Sequence, residues 1–420
     1  MLLGAMTSTL QAQDLSQQIE TLFGPQGLQL AIGGPFPPHT AHFSSTSFAT
    51  LGLLTRQLAP SAADVPAIST VPGFTYRYSP ELRVFERSSA SLGSIFVERP
   101  QTIGKGKFDV GFSYLYISYD ELNGQDLDGL TFSGLEHGDC CTPIGTLGDP
   151  VFEQATADIT FDKFNLRSQV VSFFGTYGIT DRWNVNILIP IVFTSLEVNA
   201  HAHLNDVDFV PSPGLPPVQV HRFPNGTTDV FRTVDDNATG VGDILLRTKY
   251  QFFESTEFNM ASGLNLRVPT GNEDNFQGIG HTTLTPYLVL AQNYGPFDLH
   301  GFTGIEIFTG QLDLSRVRYA AGVTYQVTQK LALIADVIGS SGLTSNTITV
   351  QVPQFTEFST TPTGFTPQSM NIRTDIVDLA VGFKFNPYRS MVGFFNVFVP
   401  LNDDGLRADV IPTAGLEMSF

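Results

Sequence analysis

The chain has 420 residues, a net charge of -18 and only 15% charged residues, with 35 Phe, 12 Tyr, 39 Gly and 26 Pro. The acidic balance argues against nucleic acid or an anionic lipid surface as partner, since both demand a basic footprint. No apolar run reaches the roughly 18 residues of a membrane-spanning helix, so a membrane reading requires a barrel.

The N-terminus, MLLGAMTSTLQAQD, has the apolar stretch and small-residue cleavage region of a signal peptide over residues 1–12, with a cut after Ala12, but lacks its basic residues. Residues 15–23 read as a short helix. Residues 24–80 are rich in Gly, Pro, Ser and Thr with no sustained period. Residues 13–106 therefore form an N-terminal extension, either packed at the periplasmic or outer surface of a barrel or entering its lumen as a plug; loop-like composition fits both.

From 107 to 420 the pattern becomes regular, with about twelve segments of the length a tilted barrel strand needs. They cover 107–119, 165–178, 183–196, 242–253, 258–268, 282–293, 297–308, 316–327, 331–339, 374–386, 390–399 and 408–420. Their connections alternate between long (120–164, 197–241, 269–281, 309–315, 340–373, 400–407) and short (179–182, 254–257, 294–296, 328–330, 387–389). Short turns on one side and long loops on the other mark an all-β, up-and-down antiparallel transmembrane barrel of the bacterial outer membrane. A Greek-key sandwich has no reason to segregate them.

Period-2 alternation assigns the faces. In 239–271, Ile244, Leu246, Tyr250, Phe252, Leu264 and Leu266 share the face turned to lipid, and Asp243, Arg247, Lys249 and Arg267 share the lumenal one. A turn at 254–256 places Asp243 opposite Arg267 as a cross-strand pair. Arg316, Arg318, Asp378 and Lys384 fall on the corresponding faces of later strands. These eight are candidate pore-lining residues, which either hold a water-filled interior in shape or select solutes. Segments 331–339 and 390–399 are apolar on both faces, so part of the lumen is itself apolar or packs against a plug. In the last strand Leu416, Met418 and the terminal Phe420 alternate on one face, an arrangement that resembles the signal read by the barrel insertion machinery.

TGVGDILLRTKYQF, followed by LRVPTG and GIGHTTLTPYLVLAQ, resembles the central segment of the meta-pathway phenol-degradation family of bacterial outer-membrane proteins, which is in turn similar to the long-chain fatty-acid channels. The resemblance implies a monomeric barrel of about 12 to 14 strands that passes small hydrophobic or aromatic molecules. The Asn-Pro-Ala hatch motif of the fatty-acid channels does not occur before Phe108.

Other clusters invite chemistry without its spacing. Adjacent Cys140 and Cys141 lie near His137 and Asp139; His201, His203 and His221 share a loop region with Asp206 and Asp208. The acidic VDDNATG and GNEDN lack the spacing of a calcium loop. No GxSxG, HExxH or GxxxxGK[ST] is present. The expectation is a channel without catalytic residues, metal or cofactor, in contact with outer-membrane lipid, insertion machinery and a small hydrophobic or aromatic solute. The alternative is a non-transporting barrel that acts through its long external loops.

Overall fold

The computed structural model describes residues 13–31, 40–71, 73, 76–79, 84–87, 91–136, 155–205, 214, 216, 221–354, 362, 364–388 and 390–420. Residues 1–12, both cysteines with His137 and Asp139, and Asp206 and Asp208 lie outside this set. Twelve antiparallel strands close into a barrel. They are β1 (Phe108–Tyr119), β2 (Thr156–Thr180), β3 (Trp183–Asn205), β4 (Ile244–Glu254), β5 (Phe258–Val268), β6 (Thr283–Tyr294), β7 (Phe297–Phe308), β8 (Arg316–Thr328), β9 (Leu331–Gly342), β10 (Asp375–Tyr388), β11 (Met391–Pro400) and β12 (Ile411–Ser419). Each pairs with its chain neighbour, and β12 returns to β1 through pairs from Thr413↔Leu115 to Ser419↔Asp109. Closure leaves no barrel edge with unpaired backbone groups facing lipid. Every strand expected from alternation is present.

The strand ends depart from expectation on the long-loop side. β2 and β3 run for 25 and 23 residues, and their outer halves are flanked by Thr131–Glu136 on β2 and Asp229–Val241 on β3. The stretches 120–164 and 197–241 are thus partly strand. Their alternation persists, but the inward positions Ala157, Ala200 and Ala202 are small and carry little apolar signal. A second hairpin, Asn346–Gln354 with Gly364–Ile372, occupies 340–373.

These extensions enclose two helices, α1 (Leu15–Glu20) and α2 (Ser44–Ala62). The buried residues of α2, Ser44, Ser47, Leu51, Gly52, Leu54, Thr55, Leu58 and Ala62, recur at helical spacing, yet five of the eight are Ser, Thr, Gly or Ala, so no hydrophobic period announces the helix. Leu51, Leu54 and Leu58 join one core with Phe161, Leu166, Val198 and Leu204 of β2 and β3. Ser45 Oγ donates to Pro353 O at 2.9 Å, tying α2 to the outer hairpin.

From α2 the chain enters the barrel. Ser69 N donates to Ile95 O at 2.8 Å, so the stretches around 69 and 95 lie side by side. Farther on, Thr102 Oγ1 donates to Asp181 O at 2.5 Å and Lys105 N to Asp181 Oδ1 at 3.0 Å, at a short turn. The N-terminal chain therefore runs from the long-loop end to the short-turn end through the interior. It meets the strands that carry apolar residues on both faces: Leu92 packs with Ala332 and Val392, and Phe96 with Phe398 at 4.5 Å between ring centroids.

The outer surface is apolar. Tyr177, Trp183, Tyr250, Phe253, Tyr294, Phe297, Tyr325, Phe385 and Tyr388 are exposed close to the short turns. Such a ring marks the headgroup level of a bilayer, with the aliphatic band above it in hydrocarbon.

Candidate functional site

The inward faces of β4 to β12 meet the N-terminal chain in a network of buried ion pairs. In β4, Arg247 and Lys249 point inward while Leu246 and Tyr250 are exposed. Lys249 Nζ lies 2.5 Å from Glu98 Oε1 and donates to Arg99 O at 2.6 Å. Arg247 Nη1 donates to Ile68 O at 2.5 Å and its Nε to Asn186 Oδ1 at 2.8 Å. Glu98 also accepts from Thr70 N at 2.8 Å and Thr70 Oγ1 at 2.5 Å.

A second cluster centres on Asp64. Its carboxylate lies 2.6 Å from Arg318, 3.1 Å from Arg316 and 3.3 Å from Arg267. Glu306 of β7 supports two of these arginines from the wall, 2.7 Å from Arg316 and 2.8 Å from Arg318. A lone carboxylate among three guanidiniums would leave net charge in a low dielectric; with Glu306 and Asp243 the charges balance, which makes burial tolerable.

Asp243 does not stand opposite Arg267. The hairpin closes on Glu254 and Asn259, and a bulge between Gln251 and Phe253 follows, so Leu245 is the residue facing Arg267. Asp243 approaches that guanidinium diagonally at 3.9 Å and spends its oxygens on Gly271 N at 3.1 Å and Ile279 N at 2.9 Å. Asp378 pairs with Arg407 at 2.5 Å, and Lys384 with Glu417 at 3.6 Å, where Glu417 also accepts from Gly73 N at 2.6 Å. All eight candidates thus lie on the inner side, and five of them (Arg247, Lys249, Arg267, Arg316 and Arg318) bond directly to residues 64–99. Phe420 projects outward and exchanges backbone hydrogen bonds with Phe108 at 2.7 and 3.2 Å, beside Met418 and Leu416 on the outer face of β12.

Between the N-terminal chain and the wall lies a cavity of about 210 Å³. Ile68, Phe96, Phe302 and Ile338 supply apolar surface, and Arg247, Arg267, Arg318 and Asp378 reach it from the strands. The residues missed in the sequence are chiefly Asp64 and Glu98, single acids in an aperiodic segment, and Glu306, whose signal was its place on an inward face.

The external candidates separate. His201 pairs with Asp162 at 2.9 Å and His203 with Asp229 at 2.8 Å, whereas His221 lies beside His42 at 5.1 Å between ring centroids. Both acidic segments anchor α1: Asn272 and Asn275 donate to Asp14 at 3.1 and 2.7 Å, and Asp236 accepts from Gln18 at 2.5 Å. Among the described residues no three His, Cys, Asp or Glu side chains gather as a metal site.

The family model described as "Putative MetA-pathway of phenol degradation" matches residues 148–387, more than half of the 420-residue chain. The chain belongs to this family. Its barrel resembles an outer membrane channel from Pseudomonas putida F1 at 12% identity, covering 76% of this chain and 98% of that one with a TM-score of 0.45. A monoaromatic hydrocarbon channel aligns at 10% identity over 76% and 89% of the two chains (TM-score 0.33). The Ralstonia pickettii toluene transporter aligns at 14% identity over 77% and 92% (TM-score 0.28). No curated protein matches the sequence. As a closed barrel with an aromatic ring at its short-turn end, this family member is a protein of the bacterial outer membrane.

Proposed function

We propose that the protein is a passive outer-membrane channel for small hydrophobic or aromatic solutes, acting without covalent chemistry. The carrying observation is the interior cavity of about 210 Å³, where apolar surface from Ile68, Phe96, Phe302 and Ile338 meets a few charged side chains at a volume suited to a small solute. Family membership agrees with an aromatic solute. Because residues 64–68 and 96–98 lie in the lumen along this cavity, passage requires them to shift, and the ion pairs of Asp64 and Glu98 set how readily they do. The eight lumenal charged residues therefore act on passage mainly by holding this segment, and Arg247, Arg267, Arg318 and Asp378 also by contact with the solute.

Assembly completes the reading: a monomer inserted through its terminal Leu416, Met418 and Phe420 signal. The test is uptake of a radiolabelled monoaromatic solute at low external concentration by cells with and without the protein. Faster entry with the protein supports the channel, and equal entry removes it. Uptake that survives trimming of 124–136, together with loss of another phenotype, would favour action through the external loops instead.

A further inference from the structure

Several buried polar atoms that border the cavity have no hydrogen-bond partner among the described residues: Arg247 Nη2, Tyr287 OH and Asn265 Oδ1. Arg247 and Tyr287 are each only 6% exposed. An unmet buried donor is expensive to keep, so two donors and an acceptor on one wall are a costly arrangement for a purely structural lining.

The register brings these groups together. Asn265 of β5 stands opposite Arg247 on β4 and opposite Thr285 on β6, and Tyr287 lies two residues beyond Thr285 on the same face. Tyr287 crosses over Gly263, its cross-strand partner; a Cβ there would fall 2.3 Å from the phenol oxygen, so only glycine leaves room for the ring. Phe302 packs against the Tyr287 ring at 5.2 Å between centroids, the two planes tilted by 38°.

Charge adds a preference. The acceptors that hold Arg247 are neutral, Ile68 O and Asn186 Oδ1, and the neighbouring carboxylate of Glu98 is engaged by Lys249 and Thr70. A guanidinium cannot discharge by losing its proton, so its open Nη2 favours an anionic oxygen. The size is suited to one ring: a cavity of about 150 Å³ admits benzene in another protein, and this one measures about 210 Å³.

We propose that this cavity is a binding site for monoaromatic carboxylates. The carboxylate accepts hydrogen bonds from Arg247 Nη2 and Tyr287 OH, and the ring lies against Ile68, Phe96 and Phe302. The inference rests on the channel reading and narrows its solute from hydrophobic compounds in general to ring acids.

The test uses full-length protein in nanodiscs, titrated calorimetrically with benzoate. Saturable one-to-one binding is expected in the wild type, weakened about tenfold in Tyr287→Phe, which removes one hydroxyl from an otherwise unchanged ring. Arg247→Gln should abolish binding, and Arg247→Lys, which keeps the charge, should recover part of it. Absence of saturable binding by the wild type, as expected if only water satisfies these donors, overturns the proposal. So does equal affinity in wild type and Tyr287→Phe. Cells that take up toluene through the protein while the purified protein ignores benzoate would retain the channel and lose this site; cells that gain no uptake of any aromatic solute would lose the channel itself.

Discussion

Asp64 Oδ1 lies 2.6 Å from Arg318 Nη2, joining residues 254 positions apart and fastening the N-terminal chain to the far wall of the barrel. Arg267 and Arg316 converge on the same carboxylate. Removal of one partner from a buried cluster leaves the others uncompensated, a loss of about 3–5 kcal/mol. The barrel itself is held by ladders that do not involve Asp64.

Asp64→Ala should therefore release the lumenal segment without unfolding the barrel. The expected outcome is larger conductance in planar bilayers and faster protease cleavage between 64 and 99, with an unchanged shift between heated and unheated gel samples. Conductance equal to wild type would mean that other contacts suffice to seat the segment.

Lys249 and Glu98 provide a second, separable fastening. Lys249→Met strands a buried carboxylate and should destabilise the docked segment by about 3 kcal/mol, whereas Lys249→Met with Glu98→Gln should recover most of that loss. Hydrogen exchange of the amides near Thr70 reads both variants. Additive effects would show that the two side chains do not act as a pair.

Gly93 has φ +69°, and a Cβ there would fall 1.8 Å from Arg99 Cζ. That guanidinium is buried against Asp298 at 3.5 Å. Gly93→Ala should unseat Arg99 and lower resistance to proteolysis in this stretch, while Asp298→Asn should do so more weakly.

The path of the N-terminal chain predicts its sidedness. In a Cys140→Ser, Cys141→Ser background, Arg56→Cys on α2 should react with an impermeant maleimide on intact cells. Lys105→Cys, near the short turn at Asp181, should react only after the outer membrane is opened. Both residues are exposed, so equal labelling of the two would contradict the threaded path.

Phe420 lies exposed just past β12, on the outer side where alternation puts it. Phe420→Ser should reduce the amount of heat-modifiable barrel in membranes several-fold with little change in the stability of the barrel that does assemble. Normal assembly levels would remove the insertion role given to Leu416, Met418 and Phe420.

Sequence alone determined the barrel class, about twelve strands in up-and-down order and the face of the alternating side chains, because the strand period is two and the solvents on the two faces differ. It placed Arg247, Lys249, Arg267, Arg316 and Arg318 inside for that reason. Partners were a different matter. The hairpin closes on Glu254 and Asn259 instead of turning at 254–256, and a bulge after Gln251 takes back one residue, so Leu245 rather than Asp243 stands opposite Arg267; period-2 alternation carries no information on such a shift. Helix α2 escaped notice because five of its eight buried residues are Ser, Thr, Gly or Ala, adequate for close packing but silent as a hydrophobic pattern. The placement of residues 64–71 and 91–104 inside the barrel was decided only by the closed ring. Asp64 and Glu98 become buried counter-ions when strands far away in sequence bring arginine and lysine to meet them, and no local pattern records that meeting.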